Sequence, residues 1–200
     1  MRGRNATSST ERLLQATFAC VARYGIAKTT VEDVAREAGI SRATVYRQFP
    51  GGKDQLVGDT IRWEATRFFA ELAVAIEASP DFETTLEDAI VFARGALDQH
   101  AVFQKVLETE PDLLLPQLSV DDSRIRSMVT VFLTTHLEPE ADRLADGLTV
   151  AQVADHVSRL LLSFFNAEGG WDLSDPAQVK RLVRSQLLAG VFVDGTEVRH

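Results

Sequence analysis

Residues 29–49 carry the sequence TTVEDVAREAGISRATVYRQF, which has the pattern of two short helices joined by a tight turn. Thr30 is a favoured N-cap residue, and Asp33 follows it at the spacing of a capping box. The apolar residues recur every three or four positions and form one helix face: Val31, Val34, Ala35 and Ala38. Gly39 can adopt the positive φ that ends a helix, and Ser41 can cap the next one. The stretch therefore predicts a helix-turn-helix.

The second helix of this motif has two different sides. Val45 and Phe49 share the side that faces inward. The other side carries short, polar and cationic groups: Arg42, Ala43, Thr44, Tyr46 and Arg47. A helix with such an outer face suits the major groove of DNA.

The charges of the chain are unevenly distributed. The formal net charge is −8, but residues 1–56 contain 9 Lys/Arg and 5 Asp/Glu, a net charge of +4. Residues 57–200 contain 12 Lys/Arg and 24 Asp/Glu, a net charge of −12. Cations that contact DNA phosphates gain from the release of counterions. The charge split therefore favours DNA contact by the N-terminal part, although solvated faces often differ in charge in this way.

Composition restricts the class of protein. The 200 residues are 45% hydrophobic, which is enough to bury a core in one medium domain or two small ones. There is no run of about 18 apolar residues for a membrane span, and the N-terminus lacks the apolar stretch of a signal peptide. Cys20 is the single cysteine, which excludes an internal disulfide and fits a reducing compartment. We expect a cytoplasmic protein without membrane contact.

The remainder of the chain also predicts helices, so the expected fold class is all-α. Apolar periodicity, caps and breakers give these additional helices: 10–24, 53–78, 84–99, 101–109, 122–137, 149–168 and 176–193. The segment from Pro111 to Pro116 is expected to separate two of them. Strand-like alternation bounded by turns is not found in the sequence.

One set of residues combines helix faces, caps and the turn: Ala16, Phe18, Gly25, Thr29, Thr30, Val31, Val34, Ala35, Ala38, Gly39, Ile40, Ser41, Thr44, Val45, Tyr46, Phe49, Lys53 and Leu56. In this pattern the chain resembles the TetR family of bacterial transcriptional repressors. The resemblance covers roughly residues 10–57. Beyond them it concerns only the architecture, a long connecting helix followed by several helices. It implies a three-helix DNA-binding domain at residues 1–56 and a helical effector-binding and dimerisation domain at residues 57–200.

The resemblance also implies that the helix at 41–48 reads the major groove of a double-stranded operator. The expected DNA-binding residues are Thr30, Ser41, Arg42, Ala43, Thr44, Tyr46, Arg47 and Lys53. Arg42 and Arg47 can form bidentate bonds to guanine, and a solvated charge is the alternative for each. Tyr46, Thr30 and Lys53 are expected at phosphates, and Arg2 and Arg4 at the DNA backbone or the minor groove. The family usually has two residues between the phenylalanine and the lysine, whereas Pro50-Gly51-Gly52 are three, which leaves the reach of Lys53 open.

A homodimer is expected because a single helix-turn-helix contacts too little DNA to select one operator. Apolar residues of the last two helices repeat at spacings of three and four, as in a heptad seam. The predicted interface consists of Val153, Val157, Leu160, Phe164, Val179, Val183 and Leu187. An intramolecular core is the alternative for these residues, and the family resemblance favours the dimer.

The C-terminal part is rich in aromatic residues, since 9 of the 11 phenylalanines and both tryptophans follow residue 56. Most of them are expected in the core. The resemblance nevertheless implies a cavity for a small-molecule effector that releases the repressor, and apolar walls suit a hydrophobic ligand. The candidate effector-binding residues are Trp63, Phe69, Phe92, Phe103, Phe132, His136, Phe164 and Phe165.

Other functions find less support in the sequence. An enzyme is not expected, because the sequence lacks a glycine-rich phosphate loop, HExxH, a CxxC pair and GxSxG. The four histidines do not have the i, i+4 spacing of a metal site, so neither a metal nor a cofactor is expected. A constitutive DNA-binding protein with a filled core and no effector remains an alternative.

Overall fold

The computed structural model of the protein describes residues 8–118, 124–166 and 170–193. Ten α-helices occur in these ranges: α1 Ser9–Tyr24, α2 Val31–Ala38, α3 Arg42–Gln48, α4 Gly52–Ala75, α5 Phe82–Gln99, α6 Ala101–Thr109, α7 Pro111–Leu118, α8 Arg124–Leu137, α9 Val150–Asn166 and α10 Pro176–Leu182. A 3-10 helix at Glu138–Arg143 follows α8, and a π-helical turn at Val183–Leu187 follows α10. Within the described ranges, extended structure is limited to one bridge between Leu144 and Phe192. The predicted all-α class is confirmed.

The caps that define the helix-turn-helix lie where the sequence predicts them. The Thr30 hydroxyl accepts a hydrogen bond from the Asp33 N–H at 3.1 Å, and the Asp33 carboxylate accepts one from the Thr30 N–H at 3.3 Å. The Ser41 hydroxyl caps α3 by accepting from the Thr44 N–H at 3.3 Å. Gly39 ends α2 with φ 63° and ψ 37°, in the left-handed region. These contacts satisfy donors and acceptors that helix ends otherwise leave unpaired.

Two segments differ from the prediction. The Pro111 to Pro116 segment was expected to separate helices, but Pro111 opens α7 instead. Its fixed φ suits the first position of a helix, where a missing N–H costs nothing. The helix predicted at 176–193 is α-helical only to Leu182, because the Leu188 N–H bonds to the Val183 carbonyl, one residue farther back than in an α-helix.

The chain divides into two compact units. The first comprises Met1–Phe68 with His100–Ser119, and the second comprises Phe69–Gln99 with Val120–His200. The predicted domain boundary after residue 56 therefore falls inside the first unit, which also contains α6 and α7. The predicted boundary was set at the end of the helix-turn-helix pattern. The local sequence of the first 56 residues does not reveal that residues 100–118 pack against them. How functions are shared between the two parts stays a prediction.

The first unit has a core of two apolar clusters. One joins α1, α2, α3 and the start of α4 through fully buried side chains that include Leu13, Val34, Val45 and Leu56. The other consists of Val21, Ile26, Val57, Val106 and Leu114, and it packs α6 and α7 against the end of α1. Cys20 is buried in the first cluster, and burial raises the pKa of its thiol, which fits a structural role.

The second unit has one core that contains most of the predicted dimer residues. Val153, Val157, Val179, Val183 and Leu187 are each at most 3% exposed within the single chain. Their assignment to a dimer interface is therefore corrected, because side chains buried in their own core are not available to a partner. Leu160 and Phe164 are half-buried at the margin of this core. A wide apolar stripe does not reveal from sequence whether it packs within or between chains.

Among the residues that the structure describes, no helix combines the length and the apolar character needed to cross a bilayer.

We predict that Gly39→Ala lowers the free energy of unfolding by about 1–2 kcal/mol, because alanine is strained in the left-handed region. Gly95 in α5 provides the matched control, since an added Cβ there meets no atom within 4 Å and φ is not positive. Gly95→Ala should stabilise the protein by about 0.5–1 kcal/mol, the usual gain within a helix. Urea denaturation measures both changes, and a Gly39→Ala protein as stable as the wild type would contradict the prediction.

Candidate nucleic-acid interface

The helix α3 turns one side into the first unit and the other to solvent. Val45 is fully buried and Phe49 is 3% exposed, so both hold the inner side against α1 and α2. On the outer side, Arg42, Ala43 and Arg47 are exposed. The predicted inner and outer faces are therefore the ones observed. We call the residues Ser41–Arg47, except Val45, the α3 outer face.

The polar groups at the start of the α3 outer face are already engaged. The Ser41 hydroxyl accepts from the Thr44 N–H and also donates to the Thr44 hydroxyl oxygen at 3.0 Å. Thr44 is half-buried, whereas Ser41 is exposed and Tyr46 retains 45% of its accessible surface. Tyr46 and Arg47 thus form the prominent side chains at the C-terminal end of the face.

The two arginines of the α3 outer face have different surroundings. Arg42 forms an ion pair with Glu32 of α2, with 2.5 Å between its Nη2 and the Glu32 Oε1. Both side chains are largely exposed, and such a pair contributes little to stability, so Arg42 can exchange Glu32 for another acceptor at small cost. For Arg47, none of the residues that the structure describes supplies a hydrogen bond or an ion pair. Arg47 is the more available of the two cations.

The acidic residues of α2 all have basic partners. Glu32 pairs with Arg42, and Glu37 lies 3.3 Å from Arg23 of α1. Asp33 pairs with an arginine one turn later on α2. These contacts reduce the repulsion that carboxylates beside α3 would exert on DNA phosphates.

The Asp33 carboxylate has an altered titration. Its pKa is lowered, chiefly because the Thr30 hydroxyl donates to it at 2.6 Å, and the nearby Arg36 guanidinium adds to the effect. Thr30 is exposed at the N-terminus of α2. The amides of this helix end and the Thr30 hydroxyl are groups of the kind that contact phosphates.

Lys53 lies in the first turn of α4. Pro50 and Gly51 form a turn closed by a hydrogen bond from the Gly52 N–H to the Phe49 carbonyl at 2.9 Å. The Lys53 ammonium donates to the Ala27 carbonyl at 2.7 Å and so lies beside the α1–α2 loop. This contact uses one of the three ammonium donors, and the others can meet a phosphate. Arg2 and Arg4 lie outside the described residues.

The predicted effector-binding residues are divided between the two units. Trp63 and Phe103 belong to the first unit, where they pack against its two apolar clusters. In the second unit, Phe69 lies 5.9 Å from Phe132 between ring centroids, and Phe132 lies 4.3 Å from the ring of His136.

The remaining predicted effector residues are in the second unit. Phe164 and Phe165 pack against its core, and Phe92 is half-buried on α5. His136 is half-buried, and its Nδ1 lies 2.8 Å from the carbonyl oxygen of Phe132, one helical turn back.

The sequence did not predict the contacts of two carboxylates near this surface, those of Glu32 and Glu110. Glu32 has the right position to pair with Arg42 only once the turn brings α2 and α3 together, so the helix pattern alone could not identify it. Glu110 bonds to the loop between α1 and α2 from 83 and 84 residues away. Nothing in the local sequence indicates so distant a contact.

Comparison with known proteins agrees with this arrangement. Residues 13–60 match the family described as bacterial regulatory proteins, tetR family. These residues comprise most of α1, all of α2 and α3, and the start of α4, so the N-terminal part of the chain is similar to the TetR family. It is 29% identical over 144 residues to an uncharacterized HTH-type transcriptional regulator of Mycobacterium bovis and 28% identical over 141 residues to one of Mycobacterium tuberculosis. Each alignment covers 70% of this chain and 65% of the relative, slightly less than two thirds of its length.

Solved structures of TetR-family proteins share the fold. The TetR family repressor AlkX from Dietzia sp. strain DQ12-45-1b has a TM-score of 0.65 at 20% identity, covering 91% of this chain and 96% of that chain. The TetR-family repressor QsdR from R. erythropolis has a TM-score of 0.64 at 17% identity, covering 94% and 98%. At these identities the likeness concerns the fold. The relatives and the family are transcriptional regulators and not enzymes.

We predict that Thr30→Ala raises the pKa of Asp33 toward the ordinary aspartate value, because the strongest donor to the carboxylate is removed, whereas Thr30→Ser keeps the pKa low. A lowered folded pKa means that Asp33 contributes its full stabilisation above the ordinary aspartate pKa and loses it as the pH falls through the folded value. NMR titration of the Asp33 carboxyl measures this. An unchanged pKa in Thr30→Ala would show that the hydroxyl is not the cause.

Proposed function

We propose that this chain is a DNA-binding transcriptional regulator of the TetR family that acts as a repressor at a palindromic operator. The observation that carries the proposal is the α3 outer face, whose arginines are exposed while Val45 and Phe49 fix the opposite side of the helix in the core. A rigidly held helix with exposed cationic and short side chains can enter a major groove without rearrangement. The net charge of +4 in residues 1–56 supports the same role.

We further propose a homodimer, since two reading helices related by a two-fold axis match a palindrome. The corrected interface uses outward-facing residues of α9 and α10 and not the buried valines. His156 and Arg159 of α9 and Arg181 of α10 are exposed, and Phe164 of α9 is half-buried. These residues offer a more polar surface than the heptad-like pattern suggested.

Footprinting of the purified protein on the DNA upstream of its own gene tests the proposal. We expect protection of two half-sites whose centres are separated by one or more helical turns of about 10 base pairs. Protection should be lost with Arg47→Ala and kept with Arg94→Ala, which removes the same charge from an exposed position on α5 in the second unit. Uniform weak protection without a palindrome would contradict the proposal.

We predict different effects from the two cations near the reading helix. Arg47→Ala should weaken binding to the operator by about 5- to 150-fold and leave binding to random DNA nearly unchanged, because it removes base contacts. Lys53→Ala should weaken binding to every sequence and reduce the slope of log K against log salt by about 1. Fluorescence anisotropy at several salt concentrations measures both. Equal losses on operator and random DNA for Arg47→Ala would exclude base readout.

The effector is proposed to be a hydrophobic or amphipathic molecule, such as an acyl chain or an aromatic compound, that binds in the second unit. The aromatic rings of Phe69, Phe132 and His136 lie together there, with a single titratable group among them. Such a molecule can release the operator only by its difference in affinity for the two states of the protein.

A thermal-shift screen tests the effector proposal. At 100 times its Kd, a ligand of this class should raise Tm by about 5 °C or more. His136→Ala should reduce the shift, while replacement of its exposed neighbour, Thr135→Ala, should not. If small polar metabolites alone stabilise the protein, the apolar effector is excluded.

A further inference from the structure

The loop between α1 and α2 is held by a carboxylate from a distant part of the first unit. Glu110, between α6 and α7, accepts hydrogen bonds from the Ile26 N–H at 2.5 Å and the Ala27 N–H at 3.1 Å. Both oxygens of the carboxylate are used, one for each amide. Hydrogen bonds to an ionised acceptor are stronger than neutral ones, so this contact fixes the loop at two consecutive residues.

The fit around the carboxylate depends on Gly25. This residue has φ 83°, and a Cβ added to it would lie 2.8 Å from the nearer Glu110 oxygen. Glycine therefore allows both the left-handed turn after α1 and the close approach of the carboxylate. A shift of the loop would therefore displace the Glu110 carboxylate, and a shift of the carboxylate would displace the loop.

Further contacts join α6 to the same region. The Lys105 ammonium donates to the Ala22 carbonyl in the last turn of α1 at 2.8 Å. Beneath it, Ile26 packs in the apolar cluster that includes Val106 and Leu114. The α6–α7 segment is thus anchored to the loop by a carboxylate, an ammonium and buried side chains.

The loop leads directly to the part of α2 that faces DNA in the proposed function. Two residues after Ala27, the buried Thr29 hydroxyl donates to the Gly25 carbonyl at 2.6 Å, and Thr30 then caps α2. The Lys53 ammonium bonds to the Ala27 carbonyl, so the loop also sets the place of that cation. A displacement of the loop would move both groups proposed at phosphates.

We propose that Glu110 is a positioning residue for DNA binding, whose carboxylate fixes the Gly25–Ala27 backbone and through it Thr30 and Lys53. This inference rests on the proposed function and deepens it. The α6–α7 segment is then part of the DNA-reading unit, although it is distant in sequence from the helix-turn-helix.

The experiment compares Glu110→Ala with Glu108→Ala in the full-length protein. Glu108 is exposed on α6, and its replacement makes the same change in net charge. Removal of a negative charge alone should tighten DNA binding, so a loss of affinity has the opposite sign from the charge effect. Glu110→Gln serves as a second variant, because its amide oxygen can still accept one of the two hydrogen bonds.

We expect Glu110→Ala to bind the operator about tenfold more weakly than the wild type at a temperature where both are folded, about the loss of one charge-assisted hydrogen bond. Glu110→Gln should fall between them, and Glu108→Ala should bind at least as tightly as the wild type. Amide hydrogen exchange should accelerate at Ile26 and Ala27 in Glu110→Ala and stay unchanged at Val45.

Each result has a distinct meaning. If the wild type binds a palindromic operator and folded Glu110→Ala binds it equally well, Glu110 has only a structural role and the inference is overturned. If Glu110→Ala does not fold, the same comparison is decided by Glu110→Gln against Glu108→Ala. If the wild type binds no operator, the proposed function itself fails, and the positioning role fails with it.

Discussion

Burial of one side of α3 is the constraint on which the interface depends. Val45 and Phe49 are withdrawn from water into the cluster formed by α1, α2 and α4, and each contributes about 1.5–3 kcal/mol by burial. Because the helix has only seven residues, it cannot persist on its own. The same contacts that stabilise α3 therefore decide which side chains face outward, and the α3 outer face is a consequence of the packing.

The acidic side chains next to α3 are paired with nearby arginines. Each carboxylate of α2 has an arginine partner, and the Arg42–Glu32 pair joins the two helices across the turn. An exposed pair of this kind is easily exchanged, so the unit remains stable without DNA and can give up the pair when phosphates or bases compete for Arg42. Arg47 needs no such exchange. Contact with DNA therefore requires Arg42, but not Arg47, to give up an ion pair, although both lie on one short helix.

Features that depend on contacts between residues close in sequence could be predicted, whereas features that depend on distant residues could not. Thr30, Gly39 and Ser41 act within four residues of themselves, and their roles at the helix ends were predictable from type and spacing. The faces of α3 were predictable for the same reason. The Glu110 contact with Ile26 was not, because it joins segments more than 80 residues apart. The stripe of Val153 and Val157 had the right period but an ambiguous partner, and only three-dimensional packing assigns it to the core of its own chain.

The proposed function requires the α3 outer face and the N-terminus of α2 to meet DNA. Amide chemical-shift mapping on addition of the footprinted operator measures this contact. The largest changes are expected at Thr30 and at residues 41–47, with small changes in α9 and α10. Changes concentrated in α9 and α10, with residues 41–47 unaffected, would contradict the proposed function.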